Sequence, residues 1–155
     1  MTSWFVFYTY PKAEKSVLEH FSHLGFTVYL PLVEHIRQWH DRKKKLKVPL
    51  FPNYIFVLVE RCNIYKVLSH PRVVRVVSFN GIPATLNNGE IEKIRKIVSN
   101  CSDLNIASKI EKGSRVEILE GPLKGLIGIL KTDFNNNKHI CINIPSIQYS
   151  LCLKM

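Results

Sequence analysis

The glycine-rich segment between residues 113 and 130 constrains the fold more than any other part of the chain. Val116 and Ile118 alternate with Arg115, Glu117 and Leu119, the period of two expected for a strand with one buried face. Gly121-Pro122 predicts a turn, because glycine adopts positive φ and proline lacks the amide donor of a strand ladder. Two further glycines then open a second strand, where the backbone bends or approaches another strand closely. The segment therefore predicts a small β module.

The rest of the chain has a different, mixed pattern. Trp4 to Tyr10 is aromatic and β-branched, as buried strands are, and residues 13–24 carry an apolar helical face. Ile55 to Val59 is the strongest strand and is expected at the centre of a sheet. An α+β chain of two parts follows: residues 1–100, a linker at 101–110 without periodicity, and a C-terminal module at 111–155. The remaining predicted strands are 26–30, 33–39, 45–50, 73–79, 115–119, 126–131, 138–144 and 147–153, and the other helices are 63–69 and 88–99.

The net charge of +10 indicates a polyanionic partner. Residues 1–100 hold 15 Lys and Arg against 7 Asp and Glu, a net of +8, whereas residues 101–155 hold 7 against 5, a net of +2. Nucleic acid is the simplest such partner, and the N-terminal part is expected to face it. A merely soluble basic protein is the alternative, and charge alone leaves it open.

The sequence carries no pattern typical of an enzyme, a metal site or a cofactor. It has no P-loop and no G-x-S-x-G. Its four cysteines are widely separated, which predicts no metal and favours free thiols in a reducing cytoplasm. The longest apolar run, Tyr54 to Val59, is far shorter than the about 20 residues that span a bilayer, and no secretory signal is visible. A non-enzymatic cytoplasmic protein without a membrane partner is expected.

Several short motifs, in order along nearly the whole chain, resemble the NusG family of transcription elongation factors. Residues 113–130 resemble the KOW motif, and Leu50-Phe-Pro-Asn-Tyr-Ile-Phe-Val57 resembles the central strand of the family's N-terminal domain. Tyr29-Leu-Pro31 is similar to its aromatic–x–Pro turn, and Tyr8-Thr9-Tyr10 to the end of its first strand. The resemblance implies an NGN-type α/β sandwich, an antiparallel sheet with flanking helices, joined by a linker to a small KOW β-barrel.

The resemblance also implies that RNA polymerase is the main partner. In this family an apolar patch on the N-terminal sheet receives the clamp helices of the largest polymerase subunit. Aromatic side chains suit such a patch, because they bury much area at little cost in rotamer entropy. Alternation places Tyr54 and Phe56 on one strand face and Ile55 and Val57 on the other, so the first pair is either docking surface or core. The predicted polymerase-binding residues are Tyr8, Phe51, Tyr54, Phe56 and Phe79.

A basic hairpin is the second predicted binding surface. Residues 37–47 carry six Lys and Arg against one Asp. Such clusters neutralise phosphates, and Trp39 is suited to stack on an exposed base, although a solvated hairpin tip is the alternative. The resemblance implies contact with upstream or non-template DNA, with a further basic face on the first helix, whereas His20 and His70 read as ordinary surface residues. The predicted nucleic-acid-binding residues are Lys12, Lys15, Arg37, Arg42, Lys43, Lys44, Lys45, Arg72 and Arg75.

In the C-terminal module the glycines are interpreted as structural, with Lys124 as the best contact candidate. The resemblance implies contacts of this module with the ribosome or the termination factor Rho. Helix-disfavouring residues such as Pro145 favour a stable barrel, although a fold-switching tail stays open as an alternative. The loop residues singled out are Gly121, Lys124, Gly125 and Gly128.

Two departures favour a specialised role. Asn53 stands where housekeeping members have Gly, and residues 144–153 lack the Phe-Gly-Arg-x-Thr-Pro-Val-Glu ending. The form Phe-Pro-Asn-Tyr looks more like RfaH and the UpxY antiterminators, and together the two departures favour an operon-specific antiterminator. The prediction is a monomeric, nucleoid-associated factor that suppresses pausing and termination at specific operons, such as surface polysaccharide loci. Housekeeping NusG and a KOW-type ribosomal RNA-binding protein are the alternatives, and the uneven charge weighs against the second.

Overall fold

The structure, a computed structural model of the chain, describes residues 1–100, 113–119, 124–132, 138–147 and 149–154. Backbone contacts divide the chain into two compact units, Met1–Asn88 and Gly89–Met155. The contact boundary thus lies twelve residues before position 100, where the sequence places the end of the first domain. The linker predicted at 101–110 lies outside the described residues, so the domain bounds stay a prediction.

The first unit is built on a five-stranded antiparallel sheet. Strand β5 (Tyr54–Glu60) lies between β2 (Thr27–Tyr29) and β1 (Thr2–Thr9), and β1 pairs on its other side with β6 (Val73–Val76) and β9 (Thr85–Leu86). Both faces of β5 are covered in this interior position, which agrees with its apolar sequence. The strands of this unit are β1 (Thr2–Thr9), β2 (Thr27–Tyr29), β3 (Leu32–Gln38), β4 (Lys43–Pro49), β5 (Tyr54–Glu60), β6 (Val73–Val76), β7 (Ser78–Phe79), β8 (Ile82–Pro83) and β9 (Thr85–Leu86).

The core of the first unit lies between one face of this sheet and two helices, α1 (Glu14–His23) and α2 (Ile64–Leu68). Phe7 of β1 and Ile55 of β5 project from that face. Val17 and Phe21 of α1 pack against them, one turn apart on the same side of the helix. Helix α1 ends at His23 with Leu24 as its C-cap, and Gly25 follows with φ +83°, a left-handed value that glycine adopts at little cost.

Strands β3 and β4 form a two-stranded antiparallel hairpin. Its turn is closed where the Trp39 amide donates to the carbonyl of Arg42 over 2.8 Å. At its base, the Leu50 amide donates to the carbonyl of Pro31 over 2.8 Å. Most hairpin side chains are exposed, so it is an extended arm rather than part of the core.

The second unit contains most of helix α3 (Asn88–Asn100) and a four-stranded antiparallel sheet in the order β10-β11-β12-β13. Ile91, Ile94 and Ile97 are buried on one side of α3 at helical spacing. Glu90 accepts a short hydrogen bond from the Ser146 hydroxyl, which ties the start of the helix to the sheet. The strands are β10 (Arg115–Glu117), β11 (Ile127–Thr132), β12 (Lys138–Ile144) and β13 (Tyr149–Lys154).

The α+β fold class is confirmed, and two local predictions are wrong. The strand predicted at 73–79 is two strands, because β6 pairs with β1 whereas β7 pairs with β8. The expectation of free thiols fails at Cys141, which is disulfide-bonded. No helix among the described residues is both long and apolar enough to cross a membrane.

Candidate functional site

Two tyrosines lie side by side at the end of the central strands. Tyr8 of β1 is directly opposite Tyr54 of β5, and their rings meet edge to face with centroids 5.7 Å apart. Both side chains are half-buried. The Arg75 guanidinium lies 5.5 Å from the centroid of the Tyr8 ring, a cation–π contact. The pair is thus a partly exposed aromatic surface with a cation at its edge.

The phenylalanines predicted beside these tyrosines lie deeper. Phe51 is 1% exposed and Phe56 is not exposed at all. Their rings pack edge to face with centroids 5.8 Å apart, and Tyr29 lies 6.2 Å from Phe56. This conformation does not present them to a partner. Phe79 is half-buried on the separate β7–β8 hairpin.

The turn that holds the tyrosine pair depends on Asn53. This residue has φ +69°, the left-handed conformation that glycine and asparagine adopt most readily. Its side-chain amide donates to the hydroxyl of Tyr8 over 3.3 Å, and its backbone carbonyl accepts from the Thr9 amide over 2.8 Å. Asn53 therefore fixes the turn and touches the aromatic surface at once.

Glu14 is a positioning residue that the sequence did not single out. Its carboxylate is buried, with 5% of the residue exposed, and accepts a hydrogen bond from the Asn53 amide over 2.9 Å. A buried carboxylate without such a partner would carry a large desolvation cost. No sequence pattern indicates this role, because the partner of Glu14 lies 39 positions away in the chain.

The cations of the basic hairpin lie on both of its sides. Directly opposite residues of an antiparallel pair share a side, so Lys43, Lys45 and Lys47 lie on one side with Gln38, Ile36 and Glu34. Arg37 and Lys44, opposite each other, lie on the other side. Trp39 at the tip is 55% exposed. Successive lysines on this side are two residues apart in the chain, a spacing of about 6.8 Å in an extended strand.

A second group of cations lies at the start of α1. The Lys15 ammonium donates to the carbonyl of Lys47 over 2.8 Å and so joins α1 to the hairpin base. The Arg72 guanidinium donates to the Ser16 hydroxyl over 2.9 Å. Lys15 is therefore held at the hairpin base, and Arg72, in the turn before β6, is held at α1. Lys12, exposed at φ +61°, lies in the turn before α1.

His70 follows α2 in the turn that carries Arg72. Its Nδ1 accepts a hydrogen bond from the Arg72 amide over 3.1 Å, and its ring lies 4.6 Å from that of His20. Partial burial lowers the pKa of the His70 imidazole below its ordinary value of 6.5, and the neighbouring His20 and Arg72 lower it further. The accepting Nδ1 also favours the neutral ring, because a protonated Nδ1 is a donor.

In the second unit the glycines have distinct roles. A Cβ at Gly128 would lie 2.5 Å from Cγ2 of Ile140 and 2.9 Å from the carbonyl oxygen of Cys141, so β11 approaches β12 too closely for a side chain. Gly125 has φ +87° with open space around it. Lys124 beside it is exposed, and Gly121 lies outside the described residues. The described residues include no group of three His, Cys, Asp or Glu that would hold a metal ion.

Comparison with known proteins gives one consistent result. The family described as "Transcription termination factor nusG" matches residues 2–95, more than half of the chain. A "Transcription termination/antitermination protein NusG" of Helicobacter pylori strain 26695 is 25% identical over 156 residues, covering 93% of this chain and 89% of that protein. Its counterpart in strain J99 is 24% identical over 158 residues, with the same coverage of 93% and 89%.

A solved structure is also similar in fold. It is described as "Domain interaction in Thermotoga maritima NusG", with a TM-score of 0.60 and 22% sequence identity. The match covers 99% of this chain and 93% of that one. At this identity the likeness concerns the fold alone.

Proposed function

The chain belongs to the NusG family of transcription termination and antitermination factors, which are not enzymes, and from this premise we propose how it acts. It binds elongating RNA polymerase through the sheet of its first unit, which receives the clamp helices of the largest subunit. The bound factor suppresses pausing and termination. It acts as a monomer in the cytoplasm, on the nucleoid, and requires no cofactor.

The tyrosine pair is the observation that carries the polymerase contact. Tyr8 and Tyr54 are half-buried, directly opposite each other and fixed by the Asn53 turn. Rigid aromatics with part of each ring exposed are suited to bind the apolar face of a helix pair. Phe51 and Phe56, buried beneath, support the surface in this conformation rather than supply it. Phe79 is a further proposed polymerase contact, far along the chain from the tyrosine pair.

DNA is the proposed second partner. The hairpin cations Arg37, Arg42, Lys43, Lys44 and Lys45 are exposed, and no ion pair with an acidic side chain holds them within the described part of the chain. Lys15 joins this arm to the first helix, and Lys12, Arg72 and Arg75 are further cations of the first unit, of which Arg75 contacts the ring of Tyr8. Polymerase docking would thus bring a basic surface to the upstream or non-template strand. Counterion release makes such binding sensitive to salt.

Action at specific operons, such as surface polysaccharide loci, is the finer part of the proposal. It is supported by Asn53 in place of glycine and by the atypical residues 144–153. A general elongation role is the alternative, because the Helicobacter pylori relatives are described without reference to particular operons. Contacts of the second unit with Rho or the ribosome belong to that alternative, with Lys124 as the candidate residue.

Mapping of the protein across the transcribed genome tests both parts. Occupancy that follows elongating polymerase on a few operons supports the full proposal. Occupancy of all transcribed genes supports the general role and contradicts the specialised one. Association with ribosomal subunits in the absence of polymerase would contradict the proposal altogether and favour a ribosomal RNA-binding protein.

A further inference from the structure

The last two strands of the chain carry a cysteine each at matching positions. Cys141 of β12 and Cys152 of β13 are directly opposite each other in the antiparallel pairing. Opposite residues in such a pair have Cα atoms about 4.5–5.5 Å apart. A disulfide spans Cα separations of about 4.4–6.8 Å, so this register position suits a bridge without movement of the backbone.

Cys141 is disulfide-bonded and 6% exposed. Of the other cysteines, Cys62 is free and exposed in the first unit, and Cys101 lies outside the described residues. The register therefore favours Cys152 as the partner. We infer that Cys141 and Cys152 form a reversible cross-strand disulfide that fastens the last strand to the sheet in response to redox conditions.

The place of β13 gives this bond a structural consequence. In the described sheet β13 pairs with β12 alone, at one edge of the order β10-β11-β12-β13. A strand at the edge of a sheet has a hydrogen-bonded neighbour on one side, so it opens more readily than an interior strand. A covalent link between Cys141 and Cys152 closes a loop of about 12 residues and lowers the entropy of the unfolded segment. Oxidation therefore stabilises the sheet, and reduction leaves β13 held by hydrogen bonds and packing.

The chemistry is a thiol–disulfide exchange with a small-molecule disulfide, such as oxidised glutathione. The thiolate of one cysteine attacks a sulfur of that disulfide and releases one glutathione thiolate. The thiolate of the other cysteine then attacks the mixed disulfide and releases the second. The two cysteines lose two electrons, the glutathione disulfide gains them, and the two protons pass from the cysteines to the released thiols.

Peptide mapping of the full chain tests the connectivity. Trypsin cuts after Lys138 and Lys154, so both cysteines fall in the peptide 139–154. After oxidised glutathione and then iodoacetamide, we expect this peptide to be unalkylated and lighter by two hydrogen atoms. After dithiothreitol it should carry two alkyl groups instead. Two alkyl groups in both conditions, or a bridge from Cys141 to Cys62 or Cys101, would overturn the inference.

Thermal unfolding tests the consequence. The oxidised chain should unfold at a midpoint roughly 5–15 °C above that of the reduced chain for the transition of the second unit. Cys152→Ser should abolish the difference, whereas the matched variant Cys62→Ser should keep it. If Cys152→Ser fails to fold, the comparison of oxidised and reduced Cys62→Ser still decides the question. Equal midpoints in the two redox states would overturn the inference, and neither outcome depends on polymerase binding.

Discussion

The backbone amide of Asn53 donates a hydrogen bond to the buried carboxylate of Glu14 over 2.9 Å. This bond joins the first turn of α1 to the turn that precedes the central strand. The same asparagine donates from its side chain to Tyr8, so the contact between helix and turn also fixes the tyrosine pair. The geometry of the proposed docking surface thus depends on a residue outside it.

Replacement of Glu14 tests this dependence. In Glu14→Ala the Asn53 amide loses its acceptor, and we expect a loss of about 1–3 kcal/mol in the free energy of unfolding. Glu14→Gln keeps a side-chain oxygen and should lose less. Glu19→Ala, at an exposed position of the same helix, should change stability little. Urea unfolding measures all three, and equal stability of the Glu14→Ala and Glu19→Ala variants would contradict the assignment.

Substitutions at Asn53 separate backbone from side-chain effects. With φ +69°, alanine should cost about 1–2 kcal/mol, because its Cβ disfavours the left-handed region. Glycine has no such cost, so Asn53→Gly should stay close to the wild type despite losing the bond to Tyr8. Thermal denaturation checks this order. If Asn53→Gly were the less stable of the two, the side-chain bond and not the backbone would dominate.

The hairpin lysines should determine how DNA affinity responds to salt. Lys43→Gln/Lys45→Gln removes two cations from one side of the arm, and we expect the slope of log K against log salt to fall by about 1.4–1.8. Lys93→Gln/Lys131→Gln removes two exposed lysines from the second unit and serves as the matched control. Titration of single-stranded and duplex DNA at several salt concentrations measures the slopes. Identical slopes in the two double variants would exclude the hairpin as the DNA-binding surface.

His70 should make the stability of the first unit depend on pH. Its pKa is lower in the folded state than the ordinary 6.5, so the unfolded chain takes up a proton first as the pH falls. The contribution of His70 to the free energy of unfolding is complete above pH 6.5. It is lost as the pH falls from 6.5 through the pKa that His70 has in the folded state. His70→Asn keeps an acceptor for the Arg72 amide but does not titrate, so it should flatten this part of the profile. His23→Asn is the control, and an unchanged profile in His70→Asn would refute the role.

Much of the fold was readable from the sequence. The aromatic and β-branched run of β1, the apolar run of β5 and the helical face of α1 each follow one strong local period, and all three elements form as expected. The division of residues 73–79 was not readable, because β6 pairs with β1, which is distant in the chain, whereas β7 pairs with the neighbouring β8. The disulfide at Cys141 depends likewise on strand register, which sequence spacing alone does not reveal.

The candidate site was readable only in part. The aromatic and basic residue types were visible, but the depth of each side chain was not. Phe51 and Phe56 belong to the same motif as Tyr54, yet they are buried while Tyr54 is half-buried. Glu14 was invisible as a positioning residue, because its partner lies 39 positions away in the chain. The assignment of contacts to individual residues stays a prediction.

The most direct measurement is a titration of this chain with core RNA polymerase. Tyr8→Ala/Tyr54→Ala should bind at least about 30-fold more weakly than the wild type, the effect of about 2 kcal/mol from lost hot-spot contacts. Tyr65→Ala, which removes a tyrosine that is 64% exposed on α2, should bind like the wild type once circular dichroism shows all proteins folded. Equal affinity of the folded double variant and the wild type, or no binding of the wild type, would contradict the proposed docking surface.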